Sequence, residues 1–192
     1  MKINFYNRNF LKLLIILNFI GIVAAFYTYI PDIKKQVAAE SYFLIPFFMV
    51  SVWLYLLAFF GTFYLHSRRE FPIFFGGLIF LFSFVYGLGS LLFYPLFMFF
   101  VYGFSLYHFW NIFAHGFVGF QSVLFFRHLK KQKFYSFAPL VFLFLFYDFL
   151  GIFYGGFLYF TDFGFPFFLK MFLIFFIVFL QVLAFYLLYK KA

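Results

Sequence analysis

Residues 71–126 read FPIFFGGLIFLFSFVYGLGSLLFYPLFMFFVYGFSLYHFWNIFAHGFVGFQSVLFF, and they contain no Lys, Arg, Asp or Glu. An apolar run of about 20 residues is enough for one transmembrane helix, so this stretch is long enough for two. Lipid cannot hydrogen-bond the backbone, so a spanning segment must be a helix or part of a closed barrel. Barrel strands alternate polar and apolar residues. This stretch is apolar on every side and therefore predicts two consecutive membrane helices.

The composition of the whole chain agrees with this interpretation. Of 192 residues, 68% are hydrophobic and only 10% are charged, which is too little polar surface for a soluble domain. Most of the 45 Phe residues are interpreted as lipid-facing or packing residues, because Phe resembles Leu in its preference for hydrocarbon. The chain has no cysteine, which excludes disulfides, thiolate catalysis and Cys-ligated metal centres.

Six apolar runs divide the chain into predicted spans, at approximately 10–30, 46–65, 72–93, 95–126, 139–160 and 166–189. Prolines stand at or near the start of runs two to six, where a missing N–H breaks no intrahelical bond: Pro46, Pro72, Pro95, Pro139 and Pro166. Pro31 follows run one and predicts that the first helix ends there. The predicted fold is an all-α polytopic membrane protein, with residues 1–192 forming a single six-transmembrane-helix bundle.

Run four is longer than a single span requires. As one helix it would extend about 48 Å, against a hydrocarbon core of roughly 30 Å. We therefore expect either a strongly tilted helix or a buried turn or re-entrant piece up to Gly103. Because no charged residue separates runs three and four, a tight hairpin through Tyr94-Pro95 is predicted between them.

The basic residues predict the orientation. With the N-terminus inside, all but three of the 14 basic residues lie in cytoplasmic segments, the exceptions being Lys34, Lys35 and Lys170. The positive-inside rule then places both termini in the cytoplasm of a multi-pass protein of the cell (plasma) membrane. The first run resembles a signal peptide around Val23-Ala24-Ala25, but its continuation to Ile30 favours a retained helix.

Partners follow from the same charges. The net charge of +9 does not indicate nucleic acid, because the charges lie in short loops between apolar spans. A basic cluster after run four predicts contact with anionic lipid head groups, with an ordinary topology signal as the alternative: Arg127, Lys130, Lys131 and Lys133. Besides the lipid bilayer, a membrane-protein partner or a second copy of the chain is expected.

Polar residues at membrane depth are the candidates for function, since each is unfavourable there unless it has a partner. Run four carries the densest set, at spacings of three and four: Ser105, His108, Asn111, His115, Gly119 and Ser122. These spacings place the set on one helix face, which we expect to line the bundle interior. Gln121 joins them as a candidate. Secondary candidates on other runs are Asn18, Ser83, Tyr86, Lys170 and Gln181.

Run five places Asp148 near its middle. An unpaired aspartate at mid-membrane costs about 2.5–3.5 kcal/mol, so Asp148 is expected to be protonated or to have a partner. We expect that partner to be His108, Asn111 or His115. On the same side of the predicted helix lie Gly151, Gly155, Tyr159 and Asp162, of which the two glycines allow close helix approach.

Several short motifs follow one another along the chain: Asn18-x-x-Gly21, Tyr42-Phe43-Leu44, Tyr86-Gly87, Ala114-His115, Gln121-x-Val123-Leu124, Asp148 and Leu183-Ala184-x-Tyr186. Their order resembles the family of small multi-span membrane proteins that includes YpjA of Bacillus. The resemblance implies a membrane module spanning nearly the whole chain and singles out His115, Gln121 and Asp148. It implies no particular activity.

The polar interior around His108, Asn111, His115 and Asp148 favours a non-enzymatic protein that binds or moves a small solute or a proton. No cofactor and no metal is predicted, because two histidines seven residues apart stand about 10 Å apart along a helix. The first alternative is an accessory or assembly subunit of a larger, for example respiratory, membrane complex. A membrane-embedded metal-dependent hydrolase is the third interpretation, and hydrogen bonding that merely fixes helix packing remains open.

Overall fold

The computed structural model describes residues 7–38, 45, 49–67, 71, 73–129, 133–153 and 166–191, with the side chains of 36, 73, 134 and 150–153 excepted. All regular secondary structure in these residues is helical. We number the long helices α1 to α6: Arg8–Ala38 (α1), Val50–His66 (α2), Ile73–Phe82 continuing without a break through Ser83–Gly87, Leu88–Phe97 and Met98–Tyr102 (α3), Leu106–His128 (α4), Ala138–Phe153 (α5) and Phe167–Lys191 (α6). A 3₁₀ turn, Phe134–Phe137, leads into α5.

Four of these helices are long and apolar enough to cross a membrane: Arg8–Lys35 within α1, Phe74–Tyr102 within α3, and the whole of α4 and α6. Helices α2 and α5 are apolar but shorter in the part that is described. Large apolar side chains are exposed over much of the bundle surface, which is the opposite of a soluble domain. The apolar helices therefore indicate that the protein is embedded in a membrane.

The prediction that α1 ends at Pro31 is wrong. The helix continues through Pro31 to Ala38, and an ion pair one turn apart joins Lys35 to Asp32 at 3.8 Å. Proline removes one backbone hydrogen bond but keeps a φ angle that suits a helix, so helices that cross membranes tolerate it. The start of α5 at Ala138 and of α6 just after Pro166 agree with the sequence.

The predicted hairpin at Tyr94-Pro95 is also wrong. Helix α3 runs through Pro95 to Tyr102, and the chain reverses at Gly103, whose φ of 78° lies in the left-handed region that glycine adopts without strain. The residues up to Gly103 are thus the end of α3, neither a re-entrant piece nor part of a tilted fourth helix. Uniform apolar composition on both sides of the turn hid the boundary from the sequence.

Helices α3 and α4 form the centre of the bundle and touch backbone to backbone. A Cβ on Gly87 would lie 2.5 Å from the Cα of Gly119, and a Cβ on Gly119 would lie 2.7 Å from the carbonyl carbon of Gly87. Small residues at a crossing allow this approach. Gly87 ends a π-helical segment, Ser83–Gly87, whose wider turn is often found at functional sites. The contact fixes the height of α4 against α3, and thereby the position of its polar face.

Helix α1 lies at the edge of the bundle and packs on α2. Of the 18 residues that form its most apolar stretch, only 22% are buried, against 67% for the corresponding stretch of α3. Gly21 makes room for the ring of Tyr55, because a side chain there would collide with that ring. Helix α5 turns a stripe of Leu140, Phe144 and Tyr147 towards the core, at helical spacings of four and three.

Candidate functional site

The polar face of α4 lies inside the bundle. Asn111, His115, Gln121 and Ser122 are all at most 9% exposed, and Gly119 forms the contact with α3. Ser105 stands just before the helix, where its hydroxyl accepts a long hydrogen bond of 3.5 Å from the backbone N–H of His108. Along this face, Ser105 precedes the helix as its cap, Asn111 and His115 line a cavity, and Gly119 packs on α3.

His115 is held by hydrogen bonds at both ring nitrogens. Its Nδ1 lies 3.1 Å from the carbonyl oxygen of Asn111, one turn earlier, and its Nε2 lies 2.8 Å from the hydroxyl of Ser51 on α2. A carbonyl can only accept, so Nδ1 carries the proton, and in the neutral ring Nε2 accepts from Ser51. The hydroxyl of Tyr29 on α1 donates to the same serine at 3.4 Å. These bonds connect α1, α2 and α4 through polar side chains.

Aromatic rings surround both histidines. Tyr55 and Tyr94 pack on His115 with ring centroids at 5.4 and 5.3 Å. His108 lies closest to the rings of Phe97 and Tyr102, each at 4.9 Å. Such packing holds the imidazoles in fixed positions. The two histidines differ in exposure, since His115 is buried whereas His108 is only partly buried.

A cavity of about 990 Å³ adjoins this cluster. Five polar residues on one side of the cavity form what we call the polar wall: Ser51, Ser90, Tyr94, Asn111 and His115. The rest of the lining is predominantly apolar and comes from α1, α2, α3, α4 and α6. The volume lies at the upper end of the range of pockets that hold drug-sized molecules, roughly 300–1,000 Å³. The arrangement suits a largely apolar ligand with one polar end.

One polar atom of this wall lacks a partner. The side-chain nitrogen of Asn111 is buried and makes no hydrogen bond to any residue that the structure describes, and the same holds for Nδ1 of His108. A buried donor without an acceptor is unfavourable by about 1–3 kcal/mol. Because Asn111 also lines the cavity, its amide is the group whose donor an oxygen atom of a bound molecule would satisfy.

A second polar contact closes one end of the cavity. The side-chain amides of Asn18 on α1 and Gln121 on α4 exchange two hydrogen bonds of 3.0 and 3.1 Å, and both residues are almost fully buried. Thr62 on α2 approaches the nitrogen of Asn18 at 3.5 Å and donates to the carbonyl of Ala58 in its own helix. Asn18 lines the cavity and Gln121 does not, so the pair forms the boundary.

Asp148 does not pair with the residues expected from the sequence. Its carboxylate accepts a hydrogen bond of 2.9 Å from the side chain of Gln181 on α6. The phenol groups of Tyr86 and Tyr147 are its electrostatic neighbours. Neither Asp148 nor Gln181 lines the cavity, whereas Tyr86 does. Helix α5 lies between α4 and α6 along the chain, so the order of the helices left both partners possible, and only their placement in space decided this pairing.

The remaining candidates are distributed as follows. Ser83 is fully buried on α3, and its hydroxyl has no hydrogen-bond partner in the described residues. Lys170 is half-buried in the first turn of α6. The backbone of Gly151 belongs to α5, but its burial is not described, and the predictions for Gly155, Tyr159 and Asp162 lie outside the described residues.

Ser51 and Thr62 were not among the functional residues predicted from the sequence. Each is a hydroxyl residue in an apolar run, which is the signal that could have drawn attention to them. A hydroxyl in a helix can bond to the carbonyl one turn earlier, as Thr62 does, so its presence alone demands no partner on another helix.

Helices of this length and apolarity, with a polar-walled cavity between them, indicate the class of α-helical membrane proteins. No protein-family model matches the chain, and no match was found among the curated proteins or the solved structures. In the described residues, no group of three or more His, Cys, Asp or Glu side chains could hold a metal ion.

Proposed function

We propose that this protein is a six-span membrane protein that binds a small molecule in the cavity beside His115, as a binding or transport protein. The observation that carries the proposal is the polar wall, in which His115 and Ser51 are held rigidly while the nitrogen of Asn111 has no described partner. Buried donors are normally satisfied in proteins, and Asn111 combines an unsatisfied donor with a position in the wall of a cavity. The resemblance to YpjA-type proteins remains a prediction and adds no activity.

In the proposed site, three residues of the polar wall have distinct roles towards the ligand. Asn111 donates to an oxygen of the ligand, while Ser51 and His115 exchange a hydrogen bond that a ligand hydroxyl or carbonyl could join. In this proposal Asp148 serves packing, because its partner Gln181 occupies it outside the cavity. A proton path through both histidines and Asp148 is therefore less well supported than binding of a solute.

Native mass spectrometry of the protein released from mild detergent tests the proposal. We expect the wild type to carry a small molecule and the Asn111→Leu/His115→Phe variant to bind it about thirtyfold more weakly and so to carry less of it, since the two lost hydrogen bonds contribute about 1 kcal/mol each. Ser122→Ala, which alters a buried hydroxyl of α4 outside the cavity, is the matched control and should match the wild type.

Access to the cavity provides a second measurement. The chain has no native cysteine, so a single Ser90→Cys variant reports directly on the polar wall. We expect N-ethylmaleimide to modify Ser90→Cys in membranes and to leave Ser83→Cys, a buried position of α3 outside the cavity, unmodified. An unreactive Ser90→Cys together with a wild type that carries no small molecule would contradict the proposal.

We further propose that both termini face the cytoplasm and that the protein resides in the plasma membrane. Support comes from the basic ends of α4 and α6, where the ammonium group of Lys191 donates to the carbonyl of Arg127 at 3.4 Å and lies 5.4 Å from the ring centre of Phe126. Leu14 of α1 packs on Leu124 near the same end. Clustered basic residues favour the cytoplasmic side and its anionic lipids.

Two single-cysteine variants test the orientation. Phe104→Cys lies in the exposed turn before α4, and Lys133→Cys lies beyond its other end. An impermeant maleimide should label Phe104→Cys on intact cells and Lys133→Cys only after permeabilisation. The reverse pattern would invert the topology, and labelling of both from one side would show that α4 does not span.

The accessory-subunit alternative gains no specific support, because the exposed apolar faces of α1 and α6 are equally expected of helices that contact lipid. The hydrolase alternative lacks a cluster of metal-ligating side chains in the described residues, and we do not propose it.

A further inference from the structure

Helices α1 and α4 touch at one end and leave an opening towards the other. Near the start of α1 they are joined by the contact of Leu14 with Leu124 and by the Asn18–Gln121 amide pair. Further along α1, exposed side chains of both helices line the cavity: Ile20, Ala24 and Thr28 of α1 with Trp110, Phe113 and Phe117 of α4. In the described part of the chain, the cavity therefore opens sideways between α1 and α4, on a surface that faces lipid.

The lining restricts the charge of a ligand. Among the described residues that line the cavity there is no Asp, Glu, Lys or Arg. An ion moved from water or the head-group region into such a site would lose its solvation without gaining a counter-charge. The cavity is thus suited to an uncharged molecule, and its predominantly apolar lining is suited to a hydrocarbon chain.

The polar wall restricts the other end of the ligand. The unpartnered nitrogen of Asn111 needs an acceptor, and its neighbours His115 and Ser51 already bond to each other. A hydroxyl or carbonyl oxygen would meet this need, while the attached chain would run along aromatic side chains such as Phe113 towards the opening.

We propose that the ligand is a membrane-dissolved amphiphile with an uncharged, oxygen-bearing head group and one long apolar chain, and that it enters from the bilayer through the opening between α1 and α4. This inference rests on the proposed function and adds to it the class of ligand and its route. A water-soluble solute would need no opening towards lipid.

The test uses the purified protein in phosphatidylcholine vesicles with a hexadecanol analogue that carries a diazirine in its chain, close to the hydroxyl group. After irradiation, label on peptides of the polar wall is measured by mass spectrometry with and without excess unlabelled hexadecanol. We expect saturable label near Tyr94, since a single site is filled, whereas lipid-facing positions take up label that the competitor does not reduce. The same chain bearing a phosphate head group should give little saturable label.

Two pairs of variants separate site from route. Asn111→Leu should reduce the saturable label about fivefold through loss of the head-group hydrogen bond, and Ser122→Ala should not. Ala24→Phe places a large side chain in the opening, and we expect it to lose most of the saturable label. Val23→Phe adds the same ring one residue away, at an exposed position that does not line the cavity, and should behave as wild type.

Label confined to lipid-facing positions would overturn the inference, as would equal labelling by the phosphate probe. Undiminished label in Ala24→Phe would overturn the route. If Ser90→Cys reacts with N-ethylmaleimide and the protein carries a bound solute while the alcohol probe gives no saturable label, the proposed function stands and this inference fails.

Discussion

The amide pair between Asn18 and Gln121 should be a measurable part of the stability of the bundle. Its two hydrogen bonds, of 3.0 and 3.1 Å, lie between side chains that are 1% and 3% exposed. Interhelical hydrogen bonds in membrane proteins contribute about 0.6 kcal/mol on average and at most about 1.7. Two such bonds in one pair therefore predict a coupling energy of about 1–2 kcal/mol.

A double-mutant cycle isolates this energy. Asn18→Leu and Gln121→Met keep the approximate volumes and remove the hydrogen bonds, and each alone should destabilise by about 1–3 kcal/mol because it leaves the other amide buried without a partner. The double variant should be less destabilised than the sum of the two. Free energies of unfolding would be measured by steric trapping in bicelles, which keeps the bilayer environment.

A second cycle provides the control. Ser83 on α3 is buried and makes no hydrogen bond to any described residue, so Asn18→Leu and Ser83→Ala should be additive within about 0.5 kcal/mol. If the Asn18 and Gln121 substitutions are also additive within that limit, the amide pair does not hold α1 to α4. The boundary assigned to the cavity would then lack its support.

The other predictions concern packing. Gly119→Ala should destabilise the bundle, although Gly→Ala at an exposed helical position normally stabilises a helix, since its Cβ would lie 2.7 Å from the backbone of Gly87; circular dichroism during thermal unfolding would detect this, and an unchanged transition would refute the crossing. Gly103→Asn and Gly103→Val should both lower the unfolding temperature, because φ 78° with ψ −176° is a backbone conformation that essentially only glycine adopts; the same thermal scan detects this, and an unchanged transition would refute the turn. Asp148→Asn should retain most stability by still accepting from Gln181, whereas Asp148→Leu should lose about 1–3 kcal/mol, and equal losses in steric trapping would exclude this role for the bond.

The sequence predicted the helices more accurately than it predicted their ends. Hydropathy located the apolar runs, and Pro139 and Pro166 marked starts that the structure retains near α5 and α6. Pro31 and Pro95 led to wrong predictions of a helix end and a turn, because a proline inside a helix removes a single hydrogen bond and the surrounding turns compensate. Gly103, the actual turn, stands among residues as apolar as those of the helices themselves.

The candidate site shows the same division. Spacings of three and four along run four identified one polar face, and in the structure its members Asn111, His115 and Ser122 are buried. The expected pairing of Asp148 with that face was wrong, because Gln181 on α6 occupies the carboxylate. Ser51 could not be identified as the partner of His115, since it is a single hydroxyl in an apolar run.

By itself, the sequence determined that the chain dissolves in lipid as helices, and which face of each helix is polar. Composition and periodicity suffice for that, since both are properties of one helix at a time. Only the tertiary structure decided which polar faces meet and that a cavity remains between them. Those outcomes depend on the relative height and rotation of neighbouring helices, which close contacts such as Gly87 on Gly119 determine.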